Sequence, residues 1–200
     1  MQILLATSNQ HKLTEVREIL EPIGIEVMSL DSLDIKVVEP VEDADTFAGN
    51  AKLKALGYAV ATDLRCMADD SGLEVDALEG QPGVYSARFA GIGTTREERD
   101  KANNALLLQK LQSIPENKRA ARFVCAICIA DPDGTIIGES TGTFDGIITS
   151  EPRGTNGFGY DPLLYIPEAQ KTSAEMTSQE KNSCSHRGEA VRNIMTCFEE

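Results

Sequence analysis

The chain of 200 residues predicts an α/β fold built on a mixed sheet, and three observations carry that reading. Short apolar runs alternate with helix-periodic segments in the N-terminal part, the pattern of strands joined by crossover helices. A long β-rich stretch, "ARFVCAICIADPDGTIIGESTGTFDGIIT", follows, with a turn signal at Pro132-Asp133-Gly134. No repeat, low-complexity tract or Pro/Ser linker interrupts the chain, so residues 1–200 are expected to form a single domain.

In order along the chain, "QILLA" reads as a buried strand and "TSNQHK" as a polar turn, with Ser8 and Asn9 as candidate helix caps. Leu13, Val16, Ile19 and Leu20 then recur at helical spacing until "EPIG" stops the helix. "IEVMSL" is a second strand, and Phe47, Ala51, Ala55, Tyr58 and Ala59 trace one face of a helix from about Thr46 to Thr62. An apolar run ends at Asp69-Asp70, and Ser71-Gly72 is expected to turn the chain before "LEVDAL" resumes it. "EGQPGVYSARFAGIG" is an ordered loop turning at Pro82-Gly83, and Thr94 with Glu97 forms a capping box for a helix carrying Ala102, Ala105, Leu106 and Leu108. The Gly-rich loop "EPRGTNGFGYDP" precedes the strand "LLYIP", and Thr177 with Glu180 opens one final helix that contains Lys181, His186 and Arg187.

Composition narrows the functional classes. A net charge of −13 argues against nonspecific nucleic-acid binding, which needs a basic surface. No apolar stretch approaches the roughly 20 residues that span a bilayer, and "MQILLATSNQHK" lacks a basic n-region and has an apolar part too short for a signal peptide. The expected location is the cytoplasm, with no membrane partner. Five cysteines, an odd number, suggest reduced thiols. Cys125 and Cys128 form a C-x-x-C, but residues three apart on a strand point to opposite faces, so core cysteines are expected rather than a metal site.

Three segments carry chemistry. At the first turn, Thr7 to Lys12, a helix N-terminus would expose unpaired N–H groups and a lysine, which suits phosphate, although a plain strand-to-helix connection looks the same. The pair Asp69-Asp70 offers carboxylates for Mg²⁺, which is usually held by one or two carboxylates plus substrate phosphates. The turn after the pair is expected to let only one aspartate face a ligand, with Asp69 ordering the turn by bonding backbone amides. In "GTNGFGYD", glycines alternate with the planar Phe158 and Tyr160, as suits a loop that clasps a flat heterocycle or simply turns a corner.

Taken together, "ATSNQHK", "ADDSGLEVDAL", "PGVYSARFAG", "GFGYDP" and "SHRGEA", in this order, resemble the inosine triphosphatase-like family of purine nucleoside triphosphate pyrophosphatases. The resemblance covers about residues 3 to 195. It implies an elongated α/β fold with a central mixed sheet flanked by helices, a Mg²⁺ requirement, a homodimer, and hydrolysis of dITP, ITP and XTP to the monophosphate and pyrophosphate. It implies that Thr7, Ser8, Asn9, Gln10, His11 and Lys12 hold the triphosphate. Asp70 becomes the catalytic base and a metal ligand, with Ser71 beside it on the substrate. Phe158, Gly159, Tyr160 and Asp161, then Lys181, His186 and Arg187, surround the nucleotide and its base, with His186 and Arg187 as donors to a 6-oxo group. Lys54 matches a lysine common on the second helix. The family stretch "EETG-TF-EN" is here "VEDADTFAGN", in which Glu42 is the candidate second metal ligand. A Maf-like pyrophosphatase would lack the "SHRG" tail, and a non-catalytic nucleotide sensor could lose the carboxylate that Asp70 retains.

Overall fold

The structure is a computed structural model, and it describes residues 1–198. Seven strands form one mixed sheet. They are β1 (Gln2–Leu5), β2 (Glu26–Ser29), β3 (Cys66–Val75), β4 (Ala120–Ala130), β5 (Ile136–Ile148), β6 (Leu164–Ile166) and β7 (Lys171–Thr172), in the order β2-β1-β3-β4-β5-β6-β7. β1 runs parallel to both β2 and β3, whereas β6 is antiparallel to β5 and β7. The helices are α1 (Gln10–Leu20), α2 (Phe47–Thr62), α3 (Arg96–Lys110), α4 (Ser178–Cys184) and α5 (His186–Met195). The expected α/β class with a helix-flanked mixed sheet is what forms.

The chain groups into two compact units. The first takes Met1–Asp70, Cys125–Thr143 and the stretch from Cys184 onward; the second takes Ser71–Val124 and Phe144–Ser183.

In the first unit, α1 begins where Asn9 accepts a hydrogen bond from the His11 N–H, and it ends at a short 3-10 turn closed by Gly24 in the left-handed region. Leu13, Val16 and Leu20 of α1 pack with Ile3, Leu5, Val27, Met67, Ile127 and Ile129 of the strands and with Val191 and Ile194 of α5. α2 is capped by Thr46, and it buries Phe47, Asn50, Ala51, Lys54, Ala55, Tyr58 and Ala59 at helical spacing. Two polar residues on that buried face are the first sign that it does more than fill a core. The absence of a side chain at Gly57 admits the Pro40 ring, to which a Cβ would come within 2.5 Å.

In the second unit, Leu73, Val75, Phe123, Phe144, Ile148, Tyr160 and Leu163 pack against Leu107 and Leu111 around α3. α3 is opened by a capping box, but with Thr95 and Glu98 rather than Thr94 and Glu97. The Glu98 carboxylate also accepts from the Thr94 N–H and hydroxyl, so one acid closes three donors, a set that Glu97 does not collect.

Two further expectations are corrected. The chain does not turn at Ser71-Gly72: both lie inside β3, which runs on to Val75 in the sheet, so strand pairing overrides local turn chemistry. The last helix is two helices, since the Ser185 hydroxyl accepts from the Gly188 N–H and starts α5 anew. Cys66, Cys125 and Cys128 are buried, as expected of core thiols.

Candidate active site

Because β3 continues through the acidic pair, its two carboxylates leave on opposite faces. Asp69 is 2% exposed and meets cationic side chains of the first unit. Its Oδ2 accepts from Lys12 Nζ at 2.9 Å and from Arg187 Nη2 at 3.1 Å. Arg187 itself is 1% exposed, and its Nη1 pairs with Glu15 of α1. Burial alone would push the Asp69 carboxyl up, but Lys12, Arg187 and Lys54 outweigh it and hold the group well below the usual carboxylate range. Asp69 is therefore a fixed anion that joins α1, β3 and α5. Its partners are these side chains rather than the backbone amides of a turn.

α5 is held where it can present Arg187. Gly142 of β5 lets the first turn of α5 lie against the strand, since a Cβ there would collide with the His186 carbonyl. The Thr143 N–H donates to Glu189 at 2.7 Å, and the Ser140 hydroxyl donates to the Ala190 carbonyl at 2.8 Å.

Asp70, on the other face, keeps a side-chain exposure of 15%. Its Oδ2 accepts from Asn50 Nδ2 at 3.1 Å, and its Oδ1 lies 3.9 Å from Lys54 Nζ. The same ammonium pairs with Glu42 Oε2 at 2.8 Å. Burial raises the Asp70 carboxyl above its ordinary value, opposed by Lys54, Lys12 and the Asn50 amide. Burial lowers Lys54, but Asp69, Asp70 and Glu42 more than reverse that, so its affinity for the proton is raised. Asp70 is thus the member of the pair that is both accessible and weakly basic, while Asp69 is locked.

Asp70 and Glu42 share one cation, and no three His, Cys, Asp or Glu side chains gather as a metal site among the described residues. Two hard carboxylate ligands, with the rest left to water and phosphate, is the donor set Mg²⁺ accepts. The residues fit that ion.

Of the first turn, Lys12 pairs with Asp69, while Thr7 accepts from the Asn9 N–H and Gln10 bonds Asp31. Ser8, Gln10 and His11 are exposed at the start of α1. Ser71 is partly exposed, next to Asp70 in sequence but in the second unit.

The second unit holds the glycine-aromatic loop. Asp161, 2% exposed, anchors it: Oδ2 accepts from the Phe158 N–H and from Lys181 Nζ, each at 2.8 Å, and Oδ1 accepts from the Ser173 hydroxyl at 2.7 Å. Gly157 has φ +74°, and a Cβ there would strike the Asp161 carboxylate. From α3, Asp100 accepts from the Gly159 N–H and Asn104 donates to its carbonyl, each at 2.9 Å. The Phe158 ring is partly exposed and carries the Arg96 guanidinium at 4.8 Å and Lys181 Nζ at 5.2 Å. Tyr160 is not an open face: it is buried, and its hydroxyl donates to the Ser86 carbonyl at 2.9 Å.

The sequence reading placed Lys181 with His186 and Arg187. In the structure Lys181 serves Asp161 in one unit, and Arg187 serves Asp69 and Glu15 in the other. His186 is buried at the start of α5. Asn50, Glu15, Arg96, Asp100, Asn104 and Ser173 were missed. The available signal was spacing: Asn50 and Lys54 sit four apart on α2, and Arg96, Asp100 and Asn104 recur every four residues on α3.

A mixed-sheet α/β protein with a weakly basic aspartate, an acidic partner and two lysines has the equipment of a metal-assisted hydrolase of anionic substrates. The chain belongs to the Ham1 family, whose model matches residues 3–197. It is 49% identical over 195 residues to a dITP/XTP pyrophosphatase of Desulforamulus reducens, covering 98% of this chain and 94% of that protein. It is 44% identical over 200 residues to a dITP/XTP pyrophosphatase of Thermus thermophilus, covering 100% and 93%. Among solved structures, a HAM1 protein from Coxiella burnetii superposes with a TM-score of 0.85 at 37% identity, covering 100% of this chain and 98% of that one. A nucleoside-triphosphatase / dITP/XTP pyrophosphatase from Mycobacterium abscessus gives 0.75 at 42% identity, covering 98% and 99%.

Proposed function

We propose that the chain is a Mg²⁺-dependent nucleoside triphosphate pyrophosphatase. It hydrolyses dITP, ITP and XTP to the monophosphate and pyrophosphate, which keeps deaminated purines out of DNA and RNA. The observation that carries this is Asp70: an accessible carboxylate, raised in basicity by burial, with Glu42 across Lys54, on a chain nearly half identical to dITP/XTP pyrophosphatases.

Asp70 orients the attacking water and accepts its proton as the water adds to the α-phosphorus. Asp70 and Glu42 would hold the metal, which when bound neutralises charge on the phosphate oxygens. Lys54 offsets the two carboxylates in the absence of substrate. The residues from Thr7 to Lys12 present the α1 N-terminus and the Lys12 ammonium to the leaving pyrophosphate. In the second unit, Asp161 and Lys181 fix the glycine-aromatic loop that carries Phe158, the candidate contact to the base.

Residues 1–200 act as one catalytic domain, paired as a homodimer in the cytoplasm, without nucleic-acid or membrane partners. The test is a panel of nucleoside triphosphates with Mg²⁺, assayed separately for pyrophosphate and phosphate. Pyrophosphate from dITP, ITP and XTP, with little from ATP, is the expected result. Release of phosphate alone, or binding without turnover, overturns it in favour of a phosphatase or a sensor.

A further inference from the structure

Asn50 lies one turn before Lys54 on α2 and is 3% exposed. Both ends of its amide are engaged. Oδ1 accepts from the Ala44 N–H at 3.0 Å, and Nδ2 donates to Asp70 Oδ2 at 3.1 Å. The orientation is unambiguous, because a backbone N–H can only donate and so fixes the amide oxygen on the Ala44 side. Ala44 is two residues beyond Glu42, whose carboxylate pairs with Lys54 at 2.8 Å. One side chain therefore grips the segment that carries Glu42 and the carboxylate of Asp70. Leucine could fill this space but not bond either group, and aspartate could serve Ala44 but would oppose Asp70.

We propose that Asn50 is a positioning residue for the hydrolysis: its amide nitrogen holds Oδ2 of Asp70 and so sets the orientation of that carboxylate, while its amide oxygen fixes the segment bearing Glu42. This rests on the reading of Asp70 and Glu42 given above. Partners of this kind, one step removed from the reacting groups, typically contribute about 10- to 100-fold in activity or metal affinity.

The test compares Asn50→Ala, Asn50→Asp and Asp70→Asn with wild type. It measures kcat and KM for dITP, thermal unfolding, and affinity for the α,β-methylene analogue of ITP in EDTA. Asn50→Asp keeps the volume and the Ala44 bond but replaces the donor facing Asp70, so it carries the test even where Asn50→Ala folds poorly. Positioning predicts that both variants lose about 10- to 100-fold in kcat, with KM and analogue affinity within about threefold of wild type. A kcat for Asn50→Asp within twofold of wild type overturns the proposal. So does an Asn50→Ala defect expressed wholly in KM and analogue affinity. An active Asp70→Asn overturns the functional reading instead, whereas an inactive one beside a wild-type-like Asn50→Asp overturns only the role of Asn50.

Discussion

Arg187 and Asp69 form a buried ion pair, Nη2 to Oδ2 at 3.1 Å, between side chains each 1% exposed. The guanidinium also holds Glu15, so a residue expected to read the purine base also fixes two carboxylates inside the first unit. Such a pair is costly to break from one side only, because the remaining charge is left buried.

Arg187→Ala therefore destabilises the protein by about 3–5 kcal/mol. Because the damage passes through Asp69 and Lys12, kcat/KM for ITP and for ATP should fall together. Urea unfolding and kinetics on both nucleotides check this. A selective loss on ITP, with stability intact, would show that this arginine reads the base.

The same pair sets an acid limit. Asp69 is held well below its ordinary value of 3.8, so the unfolded chain takes up this proton first as pH falls. The stabilisation it gives is complete above about pH 5 and is lost progressively below about pH 4, toward the folded-state value. Urea midpoints measured between pH 6 and pH 3 should decline for wild type, with a shallower acid slope in Asp69→Asn. Identical slopes would remove Asp69 from the account.

Thiol chemistry separates core from surface. Burial pushes Cys66 and Cys125 up to about 12 and Cys128 up to about 11, whereas Cys184 and Cys197 are exposed. Under native conditions Ellman's reagent should modify two thiols, and all five only after unfolding. Rapid native reaction of a third thiol would mean that the strand core opens.

Gly157 tests the loop. With φ +74° and Asp161 where a Cβ would go, alanine here strains the backbone by about 1–3 kcal/mol. The expected outcome for Gly157→Ala is a raised KM for ITP with kcat largely kept, since the strain falls on the loop and not on Asp70. Wild-type kinetics would show that the loop does not hold the substrate.

Much of this was legible in the sequence. The helix from about Thr46 to Thr62 and its apolar stripe follow from periodicity and form as α2, and the apolar run into Asp69-Asp70 forms a strand, although that strand continues to Val75. What failed depended on long-range partners. Ser71-Gly72 looks like a turn until neighbouring strands are counted, and the pairing of Arg187 with Glu15, more than 170 positions away in the chain, is invisible to a local reading. For Asn50 the spacing to Lys54 marks only a shared helix face, since its meaning comes from Ala44 and Asp70 together.

The most direct test of the central claim is pyrophosphate release from dITP with Mg²⁺ by wild type and by Asp70→Asn, with folding of both verified by circular dichroism. Removing a general base that also binds the metal should lower turnover by about 100-fold or more while leaving the fold intact. If wild type releases pyrophosphate and the folded variant does not, Asp70 is the catalytic carboxylate. A folded Asp70→Asn that retains more than a tenth of the wild-type rate, or a wild type that releases only phosphate, would contradict the account.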